Sequence, residues 1–485
     1  MQNMKEKLTR LMEYCKELGA DYADIRVKDI WTQSLAAEDG KMKAQSSSRS
    51  LGCGIRVYVD GSLGFCATSD MSALEDAAKR AYEIAKVSAE LQSEKIELAE
   101  KPTVVDSFAT PIEKDPEKVS LGDKIALLLS CEEAMREVSG VSRTVSSMSF
   151  RKEEVIYCDT DGSYITQSFC QSGGGLSATA VDGNDAQTRS YPTSFGGNYA
   201  RAGYEYIEGL ELLKSAKKCA EESVKLLNAP DCPSGTYDLI LDPSQMTLQI
   251  HESIGHPTEL DRVFGSEAAY AGASFVAPED LKNTLVYGSP DVTVVADATC
   301  PLGLGTFGYD DEGVAGQKVT LIDKGIFKNF TTSRDTAAKV NVKSGGMSIA
   351  DGWHNLPIVR MTNINMLPGD YELDSLIAGI EDGFMLDVNK SWSIDDKRIN
   401  FQFACEIAYE IKKGKLTGKV YKNPIYSGVT TEFWAGCDGV AKEEYWTLYG
   451  VPNCGKGQPG QVARVGHGSA PTRFRGVKVG VADVK

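Results

Sequence analysis

The 485-residue chain reads as an α+β protein, with an amino-terminal α+β domain of mixed helices and antiparallel strands followed by a β-rich carboxyl-terminal domain. Three observations predict this. The first half runs helix, strands, helix, helix, strands, which is not the regular alternation of a βαβ array. The stretch Asn228-Ala-Pro-Asp-Cys-Pro-Ser-Gly235 breaks the pattern as a linker does. Beyond it β-type runs dominate and helical periodicity is scarce. The boundary is expected near residue 230, giving domains 1–230 and 231–485.

The elements follow in order. Leu8, Leu11, Met12, Cys15 and Leu18 recur at helical spacing before Gly19. Tyr22–Val27, Gly54–Val59 and Gly64–Thr68 read as strands, with turns at Asp39-Gly40 and Asp60-Gly61. A helix is expected from Met71 to Leu91, with Leu74, Ala77, Ala78, Ala81 and Ile84 on one face, and another over Ser120–Val138. Val141–Ala200 returns to strands around an Asp161-Gly162 turn, and Gly173-Gly174-Gly175 marks a bulge or a close backbone approach. An amphipathic helix over Gly209–Leu227 leads to the linker. Past it come a strand, Tyr237–Leu241, and a helix starting near Ser244.

Composition excludes several function classes. The chain carries 52 Lys+Arg against 68 Asp+Glu, a formal charge of −16, which opposes binding to a phosphate backbone. The first residues lack the apolar core of a secretory signal, and no run approaches the roughly 18–20 apolar residues that cross a bilayer. Neither nucleic acid nor membrane is an expected partner. The 12 cysteines are scattered, with no C-x-x-C pair. In a chain of this length they read as reduced thiols of a cytoplasmic protein.

The sharpest chemical signal is His251-Glu252-Ser-Ile-Gly255-His256-Pro257-Thr-Glu259, which holds two of only four histidines. It is one residue wider than the H-E-x-x-H of zinc peptidases, in which two imidazoles hold the metal and the Glu polarises water. On a regular helix, positions i and i+4 lie about 40° apart and i and i+5 about 140° apart. The two rings can share an ion only if the turn widens to π-type, as helices do at functional sites. Gly255 is placed to relieve strain there, and Pro257 ends ordinary helical pairing. The bland alternative is one core histidine and one helix-end histidine, but the adjacent carboxylate and the clustering favour a metal. A catalytic zinc takes three protein ligands and leaves a fourth position for water. Candidates for the third are His354, His467, a carboxylate, or a Cys such as Cys454, which the Val451-Pro-Asn-Cys454-Gly-Lys-Gly-Gln-Pro-Gly stretch places in a glycine-rich loop; Glu259 is placed to orient an imidazole as an acceptor behind it.

His251-Glu252-x-x-x-His256 is accompanied by Asn453-Cys454-Gly455-Lys456 and by Arg360-Met-Thr-Asn363-x-x-Met366-Leu-Pro-Gly369. With them stand Asp21-Tyr-Ala-Asp24-Ile-Arg26, Gly52-x-Gly54-Ile-Arg56 and Asp310-Asp311-Glu312-Gly313. By this ordered set of motifs the chain resembles the TldD/PmbA family of metallopeptidases nearly end to end. It is TldD-like because all three ligand positions are present, whereas the PmbA type lacks the metal site; Pro257 departs from the glycine expected after the second His. The resemblance implies one Zn²⁺ per chain on His251, His256 and Cys454, with Glu252 as general base. It also implies a metal site in the carboxyl-terminal domain, inside an enclosed cavity reached by unfolded peptides or small proteins. A homodimer or a heterodimer with a PmbA-like subunit is implied as well.

Other signals are weaker. Gly303-Leu-Gly305-Thr-Phe-Gly308 fits G-x-G-x-x-G, but acids and no helix follow it, so a dinucleotide is not expected. Asp310, Asp311 and Glu312 read as a solvated loop and Gly466-His467-Gly468 as a loop whose role is open, while a solvated strand face explains the basic carboxyl-terminal Arg464, Arg473, Arg475 and Lys478 at least as well as binding of a substrate carboxylate. Two rival functions stand beside the peptidase. One is a metal-free cysteine hydrolase using Cys454 with His251 or His467 as base; the other is a non-catalytic regulatory subunit.

Overall fold

The computed structural model describes residues 2–270, 272–282, 284–457 and 459–480. Helix α1 (Gln2–Leu18) is closed by Gly19 at φ +100°, the left-handed stop that glycine takes without a Cβ clash. Eight strands then build one sheet: β1 (Tyr22–Glu38), β2 (Lys41–Val59), β3 (Ser62–Thr68), β4 (Val105–Ala109), β5 (Val141–Asp159), β6 (Tyr164–Asp182), β7 (Asp185–Tyr191) and β8 (Asn198–Ala200). Their order is β3-β2-β1-β5-β6-β4, with β7 and β8 also on β6, and only the β4–β6 pair is parallel. The strands outrun the sequence expectation. The serine-rich stretch of β2 is exposed and apolar-poor, yet its backbone pairs residue by residue with β1, so ladder hydrogen bonds extend what side-chain burial does not.

Alternation along β1 assigns the two faces of this sheet. Ala23, Ile25, Val27, Leu35 and Ala37 all point one way and are buried. At one end of that face pack α1 and α2 (Leu74–Leu91); at the other pack α3 (Leu121–Arg136) and α5 (Leu212–Leu227), the last preceded by the short α4 (Glu205–Gly209). In α2 the buried stripe contains Leu74, Ala77, Ala78, Ala81 and Ala85, whereas Ile84, expected on that stripe, is exposed.

The opposite face of β1 carries Asp24, Arg26 and Lys28, all buried. These charges meet the loop that the sequence suggested was solvated. Arg56 on β2 bonds Asp24 at 2.5 Å and Glu312 at 2.9 Å, and Lys28 bonds Asp311 at 2.9 Å. Asp310 accepts backbone N–H groups of Glu312, Val314 and Ser348. Burial, followed by the neighbouring Glu312, pushes its pKa up to about 8. The three acids are therefore interior, not solvated: Asp311 and Glu312 tie the second half of the chain to the first sheet, and Asp310 braces the loop that carries them. Trp353 reaches the same seam: a Cβ on Gly52 would lie 2.4 Å from its ring, so glycine is what admits it.

The second half is β-dominated. β9 (Gly235–Leu241) runs parallel to β16 (Asp382–Ile394) and antiparallel to β23 (Thr472–Val479). β17 (Asn400–Lys412) pairs with β16 and with β19 (Ile425–Val429), which returns to β23, so the five strands close a cycle. β18 (Lys415–Tyr421) and β20 (Cys437–Val440) extend it. Phe401, Phe403, Tyr426, Phe433, Trp434 and Phe474 stack inside this half. A four-stranded sheet of β10 (Val294–Asp297), β11 (Lys318–Asp323), β12 (Ile326–Phe327) and β15 (Ile364–Met366), and a hairpin of β13 (Ser348–Ile349) and β14 (Ile358–Val359), flank it. Last is the hairpin β21 (Thr447–Lys456) and β22 (Gln461–Ser469). Arg473 and Arg475 are not simply solvated, since both bond Asp438, and Arg464 faces Asp351. Among the described residues no helix is long and apolar enough to cross a membrane.

Because Arg56 neutralises two buried carboxylates, Arg56→Ala is expected to destabilise the protein by about 3–5 kcal/mol, the usual result of stripping one partner from a buried pair. Arg49→Ala, which breaks an exposed pair with Asp29, should leave the midpoint unchanged. Equal urea midpoints for the two variants would refute the anchoring role.

Candidate metal centre

Helix α6 (Pro243–Ile250) begins as the sequence suggests. The Asp242 side chain accepts the Ser244 N–H at 3.0 Å, and Pro243 occupies the first turn, where no N–H is needed. The helix then widens into a π-turn over His251–Gly255, in which the His256 N–H reaches the His251 carbonyl. That one-residue insertion brings His256 onto the face of His251, the ring centroids 4.8 Å apart at 88°. Gly255 has an ordinary helical φ of −57°, so it does not relieve strain. A Cβ there would stand 2.4 Å from Met361 Sδ, and close packing is what requires glycine.

Cys454 lies on β21, not in a loop, beside an irregularity of register between Val451 and Cys454. It is 6% exposed and lines a cavity. Its Sγ is 3.8 Å from His256 Nε2, and one donor atom from each of His251, His256 and Cys454 falls within 4.8 Å of the others. Tetrahedral N and S ligands at ordinary zinc distances stand about 3.5 Å apart, so the triplet is close to a binding geometry. Two imidazoles and a thiolate suit zinc, and three protein donors leave one position open. The residues fit the metal.

Their surroundings prepare them for it. Burial is the main cause that lowers the pKa of both His251 and His256, so both are neutral with a lone pair to give. His256 Nδ1 faces Glu259 Oε2 at 2.9 Å. Since a carboxylate only accepts, Nδ1 carries the proton and Nε2 is bare toward Cys454. Burial would raise the Glu259 pKa, but Lys456, His256 and Arg262 outweigh it and hold the carboxyl well below the usual range. Lys456 is itself fully buried between Glu259 and Asp261, at 3.4 and 2.6 Å. Cys454 shows the same contest. Burial opposes the thiolate, but the nearby Arg360 guanidinium prevails and sets its pKa below the ordinary thiol value. Arg360 also donates to the carbonyls of Cys454 and Gln461, at 2.5 and 3.1 Å, clamping the hairpin from the side.

Glu252 also lines the cavity, whose volume is about 300 Å³. Arg398 donates to Glu252 Oε2 at 2.6 Å. Phe195 and Trp392, half-exposed and edge to face at 5.5 Å, form part of its lining. Phe195 comes from the first half of the chain and Trp392 from β16, so both halves build the wall. His354 does not join the site: it is exposed and packs against Trp353. His467 lies on β22 and touches His251. Sequence reasoning missed Arg398 entirely, for no local pattern marks it. Arg360 and Lys456 stood inside quoted motifs, but their roles depend on which strands meet.

Comparison with known proteins gives a consistent result. The family descriptions PmbA/TldA metallopeptidase domain 1, central domain and C-terminal domain match residues 23–85, 114–229 and 234–481. A metalloprotease of Methanocaldococcus jannaschii is 30% identical over 96% of this chain and 98% of its own. A zinc metalloprotease TldD homolog of Saccharolobus solfataricus is 23% identical over 97% and 99%. The solved structure of TldE from Thermococcus kodakarensis superposes with a TM-score of 0.69 at 18% identity, covering 97% and 99%.

The thiol pKa is directly checkable in metal-free protein. Alkylation of Cys454 needs the thiolate, so its pH midpoint should fall below the roughly 8.5 of a free thiol. Burial pushes Cys15 and Cys53 up to about 11 and Cys158 and Cys219 up to about 12, which leaves them unreactive over that range. Arg360→Met should move the Cys454 midpoint upward; an unmoved midpoint would show that Arg360 does not stabilise the thiolate.

Proposed function

The chain belongs to the PmbA/TldD family of metallopeptidases, and from that premise we propose that it is a TldD-type zinc peptidase using His251, His256 and Cys454 as ligands and Glu252 as general base. The observation that carries the reading is the convergence of two neutral imidazoles and a pKa-lowered thiol on one cavity wall, with a carboxylate beside them. Zinc held by these donors supplies a water acidified towards a pKa of about 7 and a Lewis acid for the scissile carbonyl.

The chain's own residues do the rest. Glu252 takes the proton of the attacking water and returns it to the leaving amine. Arg398 fixes one of its oxygens and so orients the carboxylate. Glu259 and Lys456 keep His256 in the ligating tautomer, and Arg360 keeps Cys454 in register. The substrate is an unfolded peptide or small protein, because a cavity of about 300 Å³ admits a few side chains and no folded domain. Phe195 and Trp392 grip its apolar side chains.

We further propose a functional boundary near residue 230, one zinc per chain, and a dimer formed with a second copy or with a PmbA-like subunit. The matched central and C-terminal family segments, which meet between residues 229 and 234, support the boundary. The free cysteines support a cytoplasmic setting. A metal-free cysteine hydrolase would have to pair Cys454 with His256, the imidazole nearest its sulfur, and would leave Glu252 without a task.

Elemental analysis should find about one zinc per chain, lost in Cys454→Ala and His251→Ala. Glu252→Gln should keep the zinc while kcat on a fluorogenic unstructured peptide falls by about 10²–10⁴. Peptidase activity that survives in Glu252→Gln removes that residue from the mechanism, and activity in zinc-free protein revives the cysteine hydrolase. Trp392→Ala is expected to raise KM up to about tenfold with kcat little changed, the size of one lost aromatic contact. An unchanged KM would exclude it from the substrate grip.

A further inference from the structure

The Gly466-His467-Gly468 step is a buried strand segment, and His467 is fully shielded from solvent. Its two ring nitrogens have different partners. Nδ1 lies 3.2 Å from the Ile364 carbonyl of β15, and Nε2 lies 2.7 Å from His251 Nδ1. A carbonyl can only accept, so Nδ1 of His467 carries the proton and its Nε2 presents a lone pair. His251 Nδ1 must then be the donor, which strips the proton from His251 Nε2, the nitrogen left to bind a metal. The carbonyl thus sets one tautomer, and that tautomer sets the next.

We propose that His467 is a positioning residue that fixes His251 in its ligating tautomer and ring orientation, acting through the sequence Ile364 C=O, His467, His251. The proposal rests on the zinc reading above and extends it to a residue outside the ligand set. It also gives His251 what Glu259 gives His256, an acceptor behind the ring. The glycines on either side have a matching reason. A Cβ on Gly466 would lie 2.3 Å from Asn363 Oδ1 and one on Gly468 would lie 1.8 Å from the Trp446 ring. Only glycines let β22 approach closely enough for Gly466 N–H to bond Thr362 O at 3.1 Å and Gly468 N–H to bond Asn365 Oδ1 at 2.8 Å. Those bonds hold His467 against Ile364.

Zinc affinity, measured by competition with a chromophoric chelator, tests this with two variants. His467→Phe keeps a planar ring but offers no acceptor, and should weaken zinc binding 10–100-fold. His467→Gln restores an acceptor oxygen near the same place and should stay within about threefold of the parent. Wild-type affinity in His467→Phe, or equal losses in both variants, would overturn the proposal. A parent protein that binds no zinc would overturn the zinc reading and this proposal together. Zinc binding that His251→Ala abolishes and His467→Phe leaves intact would overturn the positioning role alone. If His467→Phe does not fold, ¹⁵N spectra of histidine-labelled, metal-free protein decide the matter, since the chain has only four imidazoles and His467→Gln identifies one of them. Protonation of His467 at Nδ1 is expected; protonation at Nε2 would refute the relay.

Discussion

One widened helical turn determines where the chemistry can sit. With five residues from His251 to His256, a regular helix would send the rings to different sides. The π-turn over His251–Gly255 turns them onto one wall, and its surroundings are shaped to keep it. Met361 fills the space that a Cβ at residue 255 would need. Tyr287 donates to the Ser253 carbonyl, and the Ser253 hydroxyl accepts from Trp434 at 2.9 Å. The turn is thus bonded into the aromatic core, and the core holds a geometry that an isolated helix would not adopt.

Charge is buried in this protein in two places and to two ends. Around His256 the acids Glu259 and Asp261 face Lys456 and Arg262, and the arrangement controls which nitrogen carries a proton and which stays bare. Between the halves of the chain, Asp24, Arg56, Glu312, Lys28 and Asp311 carry no comparable reactive neighbour and act as a fastener. Buried ion pairs add little net stability beside a good apolar interface, but they tolerate no wrong partner. That intolerance fixes how the first sheet sits on the carboxyl-terminal half, and so where Phe195 stands relative to Trp392.

These particulars explain what could be read in advance. The histidine pair, its carboxylate and the need for a wider turn were legible because spacing along one helix is local geometry. The α+β class was legible because periodicity and the linker are also local. The strand lengths were underestimated because β2 is held by its neighbours' backbone and not by apolar side chains. Asp310-Asp311-Glu312 looked like a solvated loop because its partners, Lys28 and Arg56, lie more than 250 residues away. Cys454 and His467 were assigned to loops because glycine usually marks one; here the glycines near His467 serve close strand contact. Arg398 left no trace at all, since its meaning arises only where β16 and β17 bring it to Glu252.

The shared wall of the cavity has a consequence for what the enzyme perceives. Asn198, beside the loop that carries Phe195, donates to the Leu448 carbonyl at 3.1 Å and accepts from the Gly450 N–H at 2.8 Å, so the first half is bonded to the strand bearing Cys454. If the substrate is the unfolded chain proposed above, a protein can present its backbone to this wall only while it is open. When opening and closing are fast relative to cleavage, the rate then follows the population of the open form. A substrate's lifetime becomes a reading of its own folding equilibrium, and selectivity can reside in the stability of the victim as much as in its sequence.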